Sequence, residues 1–201
     1  MKSSFKRLLL GGMILFSSFL LSAQNWQLEK DERSIQVYTL VRPGEPLKAF
    51  RAVTQVQATP EQVLAIITNA DQGHQWMDRC VESKLLKRLS DQSYLTYTRI
   101  ETPWPLEDRD LVVEMTIHQE GDKIICSMRN APDAYPAQES VIRMPKYEGS
   151  WTLIPLPEGG TQVISEGKTS PGGSIPDWLA NTEVVDSPYT TLANLRKRLD
   201  G

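Results

Sequence analysis

Residues 174–199 read SIPDWLANTEVVDSPYTTLANLRKRL, and the spacing of their apolar side chains decides the architecture. Trp178, Thr182, Val185, Tyr189, Leu192, Leu195 and Leu199 recur at steps of three and four, which traces one largely apolar face of a helix. Ser174-Ile175-Pro176-Asp177 has the form of a Ser-x-x-Asp capping box with proline inside the first turn, so the helix is expected to begin there. Pro188 lacks a backbone donor and is expected to kink or break it. A long helix with one apolar stripe needs a broad apolar surface to cover that stripe.

The residues upstream supply such a surface. Ser34 to Leu40 alternates as a half-buried strand does, and a second strand runs through Phe50, Ala52, Thr54 and Val56 after the turn Arg42-Pro43-Gly44-Glu45-Pro46. A helix then opens at Thr59, with Pro60 in its first position and Gln62 completing a Thr-x-x-Gln capping box; Val63, Leu64, Ile66 and Ile67 form its buried face. From Cys80 to Lys168, strand-like runs fall near 80–89, 93–101, 110–119, 123–130, 138–144, 147–156 and 161–168. The turns between most of them are short, as in an antiparallel sheet. The expected fold class is α+β: a curved antiparallel β-sheet of about nine strands wrapped around the long C-terminal α-helix.

The chain has 201 residues, 40% hydrophobic and 23% charged, which excludes collagen-like and wholly disordered chains and leaves room for one domain. Lys2, Lys6 and Arg7 precede an apolar run from Leu8 to Leu21, and Ala23 offers a small residue for cleavage. Residues 1–23 therefore read as a Sec-type signal peptide and 24–201 as the mature domain, periplasmic or secreted, with an uncleaved N-terminal anchor as the alternative because Leu21 does not match the small-residue cleavage rule. Loss of three basic residues from the formal charge of −3 leaves 19 basic against 25 acidic, a mature charge of −6. That acidity argues against nucleic acid as a partner. No nucleophile motif, phosphate-cradling loop or paired metal-ligand spacing is present, so no metal and no cofactor is expected. Cys80 and Cys126 fall on strands with two others between them, beyond disulfide reach, and are expected as free, buried thiols.

The order of these pieces, with particular residues, resembles the START (StAR-related lipid-transfer) domain family, here in a bacterial exported form with the helix-grip fold. The residues that carry the resemblance run from Trp26 to Leu199. They include Ile35-Gln36-Val37-Tyr38, Thr59-Pro60-Glu61-Gln62-Val63, Trp76, Pro103-Trp104-Pro105-Leu106, Arg109-Asp110, Val141-Ile142-Arg143, Gly149-Ser150-Trp151 and Pro171-Gly172-Gly173 leading to Trp178. Each is weak alone; their order and spacing make the match. The resemblance implies a hydrophobic tunnel between the concave sheet and the C-terminal helix, holding one lipid, sterol-like or isoprenoid molecule. It implies binding and transfer or shielding, not an enzyme. A monomer making transient membrane contact is the corresponding expectation.

Candidate ligand contacts follow from strand alternation and helix spacing. Leu111, Val113, Met115 and Ile117 are placed inward, with Met115 the most adaptable of them; Met128, Trp151 and Leu153 are further candidates, each equally readable as plain core. On the helix the candidates are Trp178, Leu179, Val185, Tyr189 and Leu192. Sterol-binding relatives carry an acid and an arginine facing each other inside the tunnel, and those positions fall near Thr98 and Met115 here, so the pair is missing. Arg99 or Glu101 could restore a charge, and Arg143 could meet a head group. Arg109 and Asp110 point to opposite faces and are read as structural ion pairs or turn caps. A helix-grip enzyme of the cyclase or dehydratase type stays open as an alternative if Tyr97, Arg99, Glu101 and Arg143 converge inside, as does a ligand-gated interaction protein.

Overall fold

The computed structural model describes residues 25–200; the expected signal segment, residues 1–23, lies outside them. Ten strands and two α-helices follow in the order β1 Gln27–Glu32, β2 Ile35–Leu40, β3 Ala49–Val56, α1 Pro60–Thr68, β4 Cys80–Ser90, β5 Ser93–Ile100, β6 Asp108–Glu120, β7 Lys123–Asn130, β8 Val141–Arg143, β9 Lys146–Pro155, β10 Thr161–Ser170 and α2 Asp177–Asp200. Nine strands run in the order β1-β2-β3-β10-β9-β7-β6-β5-β4 and are antiparallel throughout, while β8 adds to β6 in parallel beside Asp108–Asp110. This is the curved sheet and long terminal helix of the helix-grip fold.

Two strands depart from expectation. β1, QLEKDE, shows no apolar alternation because nearly all of it is exposed; the ladder to β2 holds it, across a turn in which Arg33 and Ser34 take φ of 50° and 60°. The run expected near 138–144 shrinks to three residues. Ser140 at φ 56° turns the chain just before Val141, and Pro145, which cannot donate to a ladder, follows Met144, so only Val141–Arg143 joins the sheet, in parallel. The strand order sets β4 and β7 apart by β5 and β6, and Cys80 and Cys126 are free and buried, as expected.

The cap of α1 forms as read. The Thr59 hydroxyl accepts from Gln62 N at 3.3 Å, and the Gln62 carbonyl accepts from Thr59 N at 2.9 Å. The start of α2 does not. Ile175 precedes a proline and is pushed away from helical geometry, so the helix begins at Asp177 and its first turn closes with Ala180 N donating to Pro176 O at 3.1 Å. Pro188 breaks nothing: it lies buried inside a helix that runs unbroken to Asp200. The buried stripe is Val184, Pro188, Leu192 and Leu195. In the first half of α2 this face is rotated by one residue from the expected one, which leaves Val185 and Tyr189 half-buried at its border.

The larger core lies under the second half of α2. Leu192 and Leu195 pack with Val63 and Ile67 of α1, Trp76, Met115, Cys126, Trp151, Leu153 and Val163. Full burial of each leucine contributes about 1.5–3 kcal/mol. Polar ties fix the same helix: Asp78 N donates to Thr191 Oγ1 at 3.1 Å, Asn194 Nδ2 to Trp76 O at 3.1 Å, and Lys48 N to Asn181 Oδ1 at 2.9 Å.

Candidate functional site

Alternation along β6 decides what faces α2. Leu111, Val113, Met115 and Ile117 project to the helix side, and each joins an apolar cluster there. The register carries this face sideways. Val113 opposes Thr96 and Asn130, Met115 opposes Tyr94 and Met128, and Leu111 opposes Thr98. On β9, Gly149 opposes Met128, Trp151 opposes Cys126 and Leu153 opposes Ile124. Thr98, Val113, Met115, Met128, Trp151 and Leu153 therefore share one inner face. Trp151 meets Trp76 edge-on, with ring centroids 5.9 Å apart at 64°.

The inner face holds two apolar clusters. One is the core under α2. The other consists of Leu111, Val113 and Met144, flanked by Ile100 and Tyr147, and among the described residues it includes nothing from α2. The helix thins over this region: Trp178 is 71% exposed, Leu179 is half-buried, and full burial begins only at Val184. Of the helix candidates, Leu192 is wholly in the core, and Lys30 Nζ stands 4.2 Å above the Tyr189 ring.

Arg99 and Arg143 are corrections. Arg99 opposes Asp110 and lies on the outer face with Tyr97 and Val112, where its Nη2 meets Asp108 at 2.7 Å. Arg143 Nε donates to Asp110 Oδ1 at 2.6 Å, and its remaining donors go to the carbonyls of Pro132, Tyr135 and Pro136. Tyr97 is sandwiched on that outer face, 5.1 Å from the Tyr135 ring with Lys84 Nζ 4.8 Å above it. The segment 131–143 thus roofs the outer side of β5 and β6, and strand parity keeps both arginines out of the inner face. Trp178 is the third correction: its ring turns to the surface.

Three inner-face polar groups escaped the sequence reading. Tyr147 is half-buried, its hydroxyl 4.0 Å from Met128 Sδ, and desolvation of the phenol pushes its pKa up to about 12. Gly149 makes the room for it, since a Cβ there would lie 2.6 Å from the phenolic oxygen; a glycine in mid-strand was the available signal. Asn130 donates to Met144 O at 3.2 Å and leaves Oδ1 buried without a partner. Arg109, expected in an ion pair or as a turn cap, is 2% exposed, has no carboxylate within 4.0 Å among the described residues and donates to the carbonyls of Glu107 and Gly172. Two shallow depressions, about 450 and 260 Å³, lie on the outer face around Tyr38, Arg51 and Glu166, and around Trp26, Phe50 and Lys168.

Comparison with known proteins bears on this arrangement directly. The START domain matches over residues 13–199. The chain belongs to the START-domain family. An uncharacterized protein of Pseudomonas aeruginosa is 38% identical over 175 residues, covering 87% of this chain and 86% of the relative. Phosphatidylcholine transfer protein of Mus musculus is 24% identical over 167 residues, covering 80% and 77%. The crystal structure of a STAR-related lipid transfer protein from Xanthomonas axonopodis superposes with a TM-score of 0.83 at 37% identity, covering 88% of this START domain and 99% of that chain. These relatives support lipid binding as the general activity of this START domain.

Proposed function

We propose that this START domain binds one hydrophobic small molecule, a lipid or a sterol-like or isoprenoid compound, in a tunnel between the inner face of the sheet and α2, and shields or transfers it without reacting on it. The observation that carries this reading is the second apolar cluster, Leu111, Val113 and Met144, which sits on the helix side of the sheet and, among the described residues, groups with no apolar side chain of α2. An apolar ligand enclosed there gains about 25 cal/mol for each Å² of its own apolar surface removed from water. The chain's likeness to lipid-transfer proteins supports the same reading. Of the groups a helix-grip enzyme would bring together inside, Tyr97, Arg99 and Arg143 lie on the outer face and Glu101 is exposed, which favours carriage over chemistry.

The ligand enters by movement of the first turns of α2, with Gly172 and Gly173, at φ of 68° and 64°, as the pivot. Trp104 and Trp178, 92% and 71% exposed, stand on the loop before β6 and on the first turn of α2. They support transient contact of a monomer with a membrane surface. The leader at residues 1–23 directs the protein to the periplasm or the exterior. Purification from that compartment, followed by native mass spectrometry and organic extraction, tests the function. The expected result is one lipid-like molecule per chain and a mature mass that begins near Gln24. An empty protein that also binds nothing from a broad lipid panel would overturn the reading.

A further inference from the structure

Arg109 stands at the start of β6 on the inner face, in register with Ile100 of β5 and Ile142 of β8 and two residues from Leu111. Its side chain is almost wholly enclosed, at 2% exposure. The other two arginines of this region are paired: Arg143 with Asp110 and three carbonyls, Arg99 with Asp108. Arg109 has only two contacts. Nη1 donates to the carbonyl of Glu107, and Nη2 reaches the carbonyl of Gly172 at 3.5 Å, the limit of a hydrogen bond. Nε is buried with no partner at all. An enclosed guanidinium with no carboxylate in contact is costly, and burial holds its pKa below the ordinary value against the opposing pull of the Glu107 and Asp108 charges.

The unused edge is the one formed by Nε and Nη2, the pair of parallel donors that matches two oxygens of a carboxylate or a phosphate. The segment above it is built without side chains. A Cβ on Gly173 would lie 3.2 Å from Nη2 and 2.9 Å from Ile142 Cδ1, so the glycine keeps a side chain away from that edge. Beyond the guanidinium the inner face turns apolar through Leu111, Val113 and Met115.

We propose that Arg109 is the receptor for the anionic head group, a carboxylate or a phosphate, of an amphiphile whose chain lies along β6 toward Met115. This rests on the carrier reading above and adds to it the polarity of the ligand and the end at which its head sits. The oxyanion takes Nε and Nη2 together and displaces the weak Gly172 contact, so head-group binding loosens the segment that leads into α2.

The test uses the mature chain at pH 8 with three sixteen-carbon probes: hexadecanol, palmitate and hexadecyl phosphate. The expected result is that palmitate or hexadecyl phosphate binds at least about tenfold tighter than hexadecanol, the scale of a charged, two-pronged hydrogen bond. Arg109→Gln brings all three probes within about threefold of one another. Arg109→Lys, which keeps the charge and loses the fork, recovers only part of the preference. A preference for palmitate over hexadecyl phosphate names the carboxylate, and the converse names the phosphate. In the wild-type chain the Arg109 Nε–H NMR signal shifts with the preferred anion and not with hexadecanol, a readout that holds even where a variant fails to fold. Equal binding of all three probes, or a preference that survives in Arg109→Gln, overturns the proposal and leaves the carrier reading standing. Failure of all three to bind, while a sterol-like or isoprenoid compound from the broad panel binds, overturns the proposal alone; failure of the whole panel overturns both.

Discussion

Asp110 accepts Arg143 Nε at 2.6 Å and Arg143 Nη2 at 3.0 Å, a two-pronged ion pair on the side of β6 turned away from α2. The carboxylate is 1% exposed and the guanidinium 15%. Asp110 shares its strand with Arg109, yet one residue of parity puts the two side chains on opposite faces, one fully paired and one nearly bare.

Breaking that pair leaves a buried charge alone, which typically costs more than the pair itself contributes. Arg143→Ala is expected to lower unfolding stability by about 3–5 kcal/mol, read from the urea midpoint. An unchanged midpoint would mean that the roof over β5 and β6 is not held by this contact.

Leu153 is fully buried between Trp151 and the α2 leucines, so Leu153→Ala removes packed volume that the surroundings cannot refill. The expected loss is about 2–5 kcal/mol. Trp178→Ala at the exposed start of α2 is expected to change stability by less than about 0.5 kcal/mol and to slow transfer of a lipid between vesicles several-fold. Unimpaired transfer would remove Trp178 from the membrane contact.

Tyr97 and Tyr147 are each pushed up to about 12, chiefly by burial, whereas tyrosine in an unfolded chain titrates near 10. The folded state thus keeps its protons longer than the unfolded state. Their contribution is fully present below about pH 10 and is lost as pH rises toward 12. Urea midpoints at pH 8 and 11 are expected to differ, with a smaller difference in Tyr147→Phe. Identical pH dependence in that variant would contradict the burial of the phenol.

Cys126 is likewise driven to about 12 by burial, and the Cys80 thiol is raised by the same cause. Thiolates are the reactive form, so both are expected to resist alkylation in the native protein and to react in denaturant. Labelling of either in the native state, or a disulfide by mass, would contradict the strand order that separates β4 from β7.

The fold was legible because its signals are local and redundant. The Thr59 capping box, the alternation from Leu111 to Ile117 and the turns between strands each specify geometry within a few residues. β1 was missed because an exposed strand carries no burial pattern, and the entry of α2 was misplaced because Pro176 acts on Ile175 against the Ser174 cap. The site was less legible for a reason of another kind. Whether Arg99 and Arg143 look inward depends on parity across a loop of uncertain register and on which carboxylate folds back to meet them. Likewise the isolation of Arg109 is a property of what fails to approach it, which no spacing in the sequence records.

The central claim is that a hydrophobic molecule lies between the inner face of the sheet and α2. Photo-crosslinking with a neutral sixteen-carbon alcohol bearing a mid-chain diazirine, followed by peptide mass mapping, tests it most directly. The account predicts crosslinks on Leu111, Val113, Met115, Met128 and the first turns of α2. Crosslinks confined to the outer depression around Tyr38, Arg51 and Glu166 would contradict it.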